Sequence, residues 1–320
     1  MSSFATAFEL QLKSVLIASD FTAPSRKALH HAIAVARYYG SKLYFVHVVS
    51  GLGLTIAGPD AITTTTDLTR RDAQLAAHDL LEKGILEGLS HEIVITNGDI
   101  WQEVQQIICR ERIDLAVVGT HSRTGISRLV YGSVAEQIFR RATCPVLTVG
   151  PNAPAGASVS PGTRPVLFAT DFGENSFMAL RYALSFAKQQ RTSLILLHVL
   201  SPVPHVDSNR LYTADDVFTM RAAARSKAVE RLRGLVPASF GDTDPLCIAE
   251  FGEAAEWILR ISEELRAGAI IMGLNHTTHI TARSHFLSST TYKVACRATC
   301  PVLTVRSELQ QPAVGCPVAS

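Results

Sequence analysis

Val15-Leu16-Ile17-Ala18-Ser19-Asp20-Phe21 returns 151 residues later as Val166-Leu167-Phe168-Ala169-Thr170-Asp171-Phe172. A short apolar run without polar alternation reads as a strand buried on both faces, the habit of a parallel sheet. His47-Val48 returns as His198-Val199, and the octet Ala142 to Val149 is repeated letter for letter at Ala298 to Val305. The matches keep their order, and their offset drifts only from 151 to 156 residues. Solenoid units repeat every 20–50 residues or so. A period this long is a duplicated domain.

Composition agrees. A chain of 320 residues suits two domains at roughly 100–200 residues each. Hydrophobic residues make up 47% and charged residues 18%, enough apolar material for two cores. The net charge of +2 gives no electrostatic case for nucleic acid as a partner. Met1 to Lys13 does not read as a signal peptide. No stretch approaches the roughly 20 apolar residues of a membrane helix. Six cysteines in so long a chain are not a disulfide framework. A cytoplasmic location is expected, with no membrane partner.

Outward from the first strand, the pattern alternates strand and helix. Thr22 or Ser25 can cap a helix with Pro24 in its first turn, carrying Ala28, Leu29, Ala32, Ile33 and Ala36 at helical spacing and stopping at Gly40. A strand follows at 42–49, then a polar stretch at 50–66 with four consecutive threonines. Next come a helix over about 67–89, a strand at 92–96, a helix over about 100–112 and a strand at 114–118. A loop, a helix near 132–141 and a strand at 145–149 close the unit. Residues 150–165, rich in Pro, Gly, Ala and Ser, read as a linker. The second unit repeats the order, and the tail after Arg306 has no periodicity. Such alternation implies right-handed crossovers and a parallel sheet with helices on both faces.

Ligands of open parallel sheets bind beyond the carboxyl ends of the strands, where the strand order switches. Asp20, Val48 and Gly119 fall at such ends. The segment from Gly119 to Ser133 runs from a strand end to a helix N-terminus, where unpaired N–H groups and the helix dipole favour an anion. Arg123 and Arg128 add positive charge, and the segment has no acid. On physics alone it reads equally as a phosphate loop or as an ordinary turn, with glycine supplying positive φ and serine the cap.

The strand ending in Asp-Phe, the His-Val of the second strand, the Gly119–Ser133 loop and the closing Cys-Pro-Val-Leu strand resemble the universal stress protein family, in both halves. The resemblance implies two tandem doubly wound α/β domains, each a five-stranded parallel sheet of order 3-2-1-4-5 with helices on both faces. The expected boundaries are 1–150, a linker at 151–163, 164–306 for the second domain, and a mobile tail at 307–320. The family's nucleotide-binding members carry Gly, two residues, Gly, nine residues, then Gly-Ser or Gly-Thr. Gly119, Gly132 and Ser133 match, and Ser122 stands where the second glycine belongs. The resemblance places Asp20 and Val48 at ribose and adenine, with Ala18 and Val118 beside the base. It places Gly119, Ser122, Gly132, Ser133 and the Val134 backbone at the phosphates of ATP, with or without Mg2+.

The second unit departs further. Gly273 is followed by Leu274-Asn275-His276, the loop is two residues longer, and Ser288-Ser289 replaces Gly-Ser. Asp171 and Val199 remain, with Asp171 open to either a ribose contact or a turn cap. This half is expected not to bind ATP. His276, His279 and His285 match no helix-face metal pair, so no metal site is expected. Cys144, Cys296 and Cys300 read as packing residues, with a thiol switch of Cys296 and Cys300 as the alternative, and Cys316 as the exposed thiol. His47 and His198 read as hydrogen-bonded core histidines. Asp99 and Glu136 lie near the first cleft without a nucleophile, and no Walker Gly-Lys-Ser/Thr occurs, so an enzyme is not expected beyond weak ATP hydrolysis. The last strand of each half needs a partner at its edge, which suggests an intramolecular pseudo-dimer and leaves a homodimer open. The sum is a stress-response regulator that binds ATP in its first half, with protein partners unnamed. The alternatives are a nucleotide-free interaction or chaperone-like module, or a slow ATPase.

Overall fold

A computed structural model describes residues 10–49, 59–120, 133–154, 164–201, 213–238, 240, 244–274 and 289–306. The chain folds as two compact units, split near residue 160.

The first unit runs β1 (Ser14–Ala18), α1 (Ala23–Tyr39), β2 (Lys42–Val49), α2 (Pro59–Glu82), β3 (His91–Asn97), α3 (Ile100–Arg110), β4 (Leu115–Gly119), α4 (Ser133–Arg141) and β5 (Val146–Val149). Its strands lie in the order β3-β2-β1-β4-β5, all parallel. β1 sits at the centre, with Ala18 in register with Val46 of β2 and Val118 of β4. Its residues Val15, Leu16 and Ile17 are wholly buried. This is why the run shows no polar alternation: a central parallel strand has no face toward water.

The second unit repeats the plan: β6 (Val166–Ala169), α5 (Glu174–Gln189), β7 (Leu194–Leu200), α6 (Ala214–Arg233), β8 (Leu246–Phe251), α7 (Ala254–Glu264), β9 (Ala269–Gly273), α8 (Thr290–Arg297) and β10 (Val302–Val305). Its order is β8-β7-β6-β9-β10, again all parallel. Ala169 pairs with Leu197 and with Met272, the same registers as Ala18 with Val46 and Val118. Position-by-position comparison of the halves is therefore fixed by strand pairing as well as by sequence. The fold expected from the sequence is the one observed.

α1 buries Ala28, Leu29, Ala32, Ile33 and Ala36, and Gly40 ends it at φ +67° with its N–H on the Ala36 carbonyl. In the second unit the left-handed position after α5 falls instead on Arg191, at φ +50°, a conformation that costs an L-residue about 1–2 kcal/mol. Two expectations change. α2 begins at Pro59, so the four threonines lie inside a helix and not in the polar loop. Thr22 is the N-cap of α1 but makes no side-chain cap bond; its hydroxyl goes to the Asp20 carboxylate.

Candidate functional site

In the first unit the polypeptide leaves β1 toward β2 on one side, while β4 lies on the other. The cleft at this switch point has a volume of about 120 Å³. Its floor is apolar: Ala18, Val46, Val48 and Val118 from the strand ends, closed by Ile100 and Val104 of α3. Its polar rim is Ser19, Asp20 and Ser25, and Val134 and Ala135 bring the first turn of α4 to it.

The rim is held by a local network. The Asp20 carboxylate accepts the Thr22 N–H at 3.1 Å and the Thr22 hydroxyl, which fixes its orientation in an exposed position. The Ser19 hydroxyl donates to Ser25 Oγ at 3.1 Å, and Ser25 Oγ donates to the Thr22 carbonyl at 3.0 Å. Between them Phe21 adopts φ +59°, unusual for a bulky residue, and its ring lies 4.9 Å from that of His47. His47 Nδ1 is 2.8 Å from the Ser19 carbonyl. A carbonyl only accepts, so Nδ1 carries the proton. His198 does the same to the Thr170 carbonyl at 2.8 Å, beside Phe172 at φ +60°. Both histidines pin the turn after the first strand.

Of the nine residues expected at the site, six line this cleft: Ala18, Asp20, Val48, Val118, Gly119 and Val134. Ser122 and Gly132 lie outside the described residues, and Ser133 opens α4 with its side chain undescribed. Sequence reading missed Ser19, Ser25, Val46, His47, Ile100, Val104 and Ala135. The alternation of β2 could have supplied Val46, two residues before Val48. Nothing in the sequence marks α3 as a wall.

Gly119 has a different reason from the one its loop suggested. A Cβ there would stand 2.5 Å from the Pro24 carbonyl oxygen and 3.1 Å from Ser25 N. The glycine admits the first turn of α1 against the end of β4. The two nearby acids also have structural partners. Asp99 caps α3 by accepting the Gln102 N–H at 3.0 Å, and the buried Glu136 carboxylate is 3.6 Å from Arg140 Nη1.

The corresponding positions of the second unit carry larger side chains at three places. Leu197, Ile258 and Met272 stand where Val46, Val104 and Val118 line the first cleft, and all three are buried. Asp171 accepts the Gly173 N–H at 2.8 Å and the Ser176 hydroxyl at 2.6 Å, so it caps its turn. α8 is capped by its own Ser289, which accepts the Tyr292 N–H at 3.3 Å. α7 and α8 are bridged by Lys293 with Glu253 at 2.9 Å and by Arg297 with Glu256.

Among the described residues no group of three metal-binding side chains occurs, and His276, His279 and His285 lie outside them. Cys144, Cys296 and Cys300 are buried, and burial pushes the Cys300 thiol up to about 12; Cys316 is outside the described residues. No described helix is long and apolar enough to cross a membrane.

The sequence profile of the universal stress protein family matches residues 11–150 and again 162–306. The chain belongs to the universal stress protein family, as two tandem domains. Universal stress protein MJ0531 of Methanocaldococcus jannaschii is 29% identical over 140 residues, 43% of this chain and 81% of that protein. Universal stress protein YxiE of Bacillus subtilis is 26% identical over 152 residues, 42% of this chain and 97% of that protein. A universal stress protein structure from Archaeoglobus fulgidus superposes with a TM-score of 0.66 at 20% identity, covering 93% of this chain and 99% of that one. It shares the fold across both halves. The family includes a universal stress protein solved in complex with cAMP.

Proposed function

We propose that this universal stress protein is a cytoplasmic stress-response regulator that binds ATP in its first domain alone, the second serving as its non-binding partner. One observation carries the reading: the switch-point cleft of the first unit is lined by Asp20, Val48 and Val118, while Leu197, Ile258 and Met272 replace Val46, Val104 and Val118 in the second unit. The cavity is smaller than the roughly 300–1,000 Å³ of a site that encloses a drug-sized ligand. Its place at the strand ends suits the base and ribose at the mouth of the cleft, with the phosphates toward the start of α4, where the helix dipole favours anions. Asp20, oriented by Thr22, offers a carboxylate to ribose hydroxyls. The apolar floor suits the face of a purine. The chemistry supports binding and no more: the nearby acids cap and pair with helix residues, and no described side chain is placed to activate a water.

Calorimetric titration of the nucleotide-stripped full chain with ATP, with and without Mg2+, tests this. One site per chain is expected. Asp20→Ala should weaken it at least about tenfold, the worth of a hydrogen bond to a charged group, while Asp171→Ala leaves it unchanged. Two sites per chain would overturn the asymmetry, and no binding at millimolar ATP would overturn nucleotide sensing.

A further inference from the structure

β5 and β10 close two identical octets, Ala142 to Val149 and Ala298 to Val305. Any difference in how the chain continues must come from what packs beside them. After β5 the chain stays on the first unit. Gly150 to Pro154, read from the sequence as linker, make a turn in which the Ala153 N–H donates to the Gly150 carbonyl at 3.2 Å, and Gly150 and Ala153 are buried.

One face of α1 holds this turn. Lys27 Nζ donates to the Pro151 carbonyl at 2.7 Å, and His31 Nε2 lies 3.1 Å from the Pro154 carbonyl. Residues four apart stand one above the other on a helix. The two prolines have no N–H, so the carbonyl is the one polar backbone group each can offer. In the second unit Met178 and Tyr182 occupy the two positions. Met178 has no proton to donate, and Tyr182 has no nitrogen to protonate. The paired donors occur in the half that a second domain follows.

The pairing responds to protons. A carbonyl only accepts, so His31 Nε2 carries the hydrogen of the ring, and an added proton goes to Nδ1. The ring is 4% exposed, and a charge buried without a counter-charge is costly. Its neighbours oppose the charge further. Lys27 stands one turn away, His30 is next in the chain, and α1 also carries Arg26, Arg37, Tyr38 and Tyr39 but no acid. β1, β4, β5 and residues 150–154 bring no ionisable side chain to α1. β2 brings Lys42, Tyr44 and His47, engaged by Glu92, Glu111 and the Ser19 carbonyl. A protonated His31 is therefore stable only in water, and it reaches water only by letting go of Pro154.

We propose that Lys27 and His31 form a proton-sensitive clasp on the interdomain linker, closed at neutral pH and opened by acid. Opening hands residues 150–154 to the linker, each adding up to about 3.3 Å of reach, and so changes the effective concentration at which one domain meets the other. The clasp is independent of what the cleft binds.

Hydrogen exchange of the full chain, expressed as protection relative to the intrinsic rate at each pH, tests it between about pH 7.5 and 5, with the His31 ring titrated by NMR. In wild type, protection of the Ala153 amide should fall below pH 6.5, by up to about tenfold per pH unit, the most one proton can give. The amides of β5 should stay protected. His31→Gln keeps an N–H for the Pro154 carbonyl and cannot titrate, so its protection should be the same across the range. Lys27→Met should lower protection at every pH and move the His31 titration up toward 6.5, since it removes a like charge. The clasp is overturned if Ala153 protection in wild type does not depend on pH, if it falls together with that of β5, or if His31→Gln loses it in acid as wild type does. If His31→Gln does not fold, the Lys27→Met titration decides: an unmoved His31 ring separates the two groups and overturns their joint action.

Discussion

Gly119 and Gly273 occupy the same place in the two halves and are needed for the same reason. A Cβ at 119 would meet Pro24 backbone at 2.5 Å, and one at 273 would meet Asn175 and Ser176 backbone at 2.6 Å. Their neighbours differ: Val118 and Thr120 in the first half, Met272 and Leu274 in the second. One strand end thus carries two kinds of demand. The side facing the helix after the first strand is fixed by packing and is the same in both copies. The side facing the cleft follows whatever the cleft holds. A retained glycine is therefore poor evidence for a phosphate site in either copy, and the residues on either side of it are better evidence.

This comparison can be broken most directly at the glycines. Gly119→Ala and Gly273→Ala should each destabilise their own half by about 1–3 kcal/mol, the usual cost of overpacking, because the obstructing atoms are backbone. Denaturant unfolding of both variants checks it. A loss at 119 without one at 273 would mean that the two glycines answer to different constraints.

A smaller effect separates the halves by pH. His31 of α1 is buried, its Nε2 3.1 Å from the Pro154 carbonyl, while Lys27 donates to the Pro151 carbonyl at 2.7 Å. These two side chains, one turn apart, hold the chain as it leaves β5. Burial lowers the His31 pKa below 6.5; its bond to Pro154 opposes this, and the neighbouring His30 and Lys27 add to the lowering. The folded state keeps the ring neutral, so below pH 6.5 the unfolded chain binds the extra proton. The contribution is complete above pH 6.5 and is lost as pH falls through the folded value. The second half has Tyr182 at this position. Acid should therefore lower the unfolding midpoint of the first half more than that of the second, and His31→Gln should remove the difference.

Much of this was legible in the sequence where one constraint acts alone. The unbroken apolar runs of β1 and β6 report burial on both faces. Gly40 reports a helix end. Asp20 and Val48 report strand ends at a switch point. What stayed hidden involves two constraints or a volume. The β-branched run Thr63 to Thr66 has weak helix propensity, yet it lies within α2, whose Ala73, Ala77 and Leu80 are buried. Leu197, Ile258 and Met272 are larger than Val46, Val104 and Val118, a difference that hydrophobic patterning does not register. Gly119 was legible as a glycine at a strand end, but its obstructing neighbour lies almost 100 residues earlier in the chain.

The smallest effect concerns how firmly each half holds the helix behind its loop. In the second half Lys293 of α8 meets Glu253, the N-cap of α7, at 2.9 Å. In the first half Gln137 stands at the Lys293 position, and Arg141 of α4 lies 6.0 Å over the Trp101 ring. The Lys293 pair is about two-fifths exposed on both sides, so Lys293→Met should cost only about 0.2–1 kcal/mol, and less at high salt. Its value lies in location. If the ion pairs of the second half hold α8 against α7, Lys293→Met should speed hydrogen exchange in α8 toward the rate of α4 while the rest of that domain is unchanged. Equal exchange in α4 and α8 of the wild type would show that the ion pairs do not set the halves apart, leaving the larger Leu197, Ile258 and Met272 side chains as the difference. The asymmetry between the halves would then rest on those three side chains.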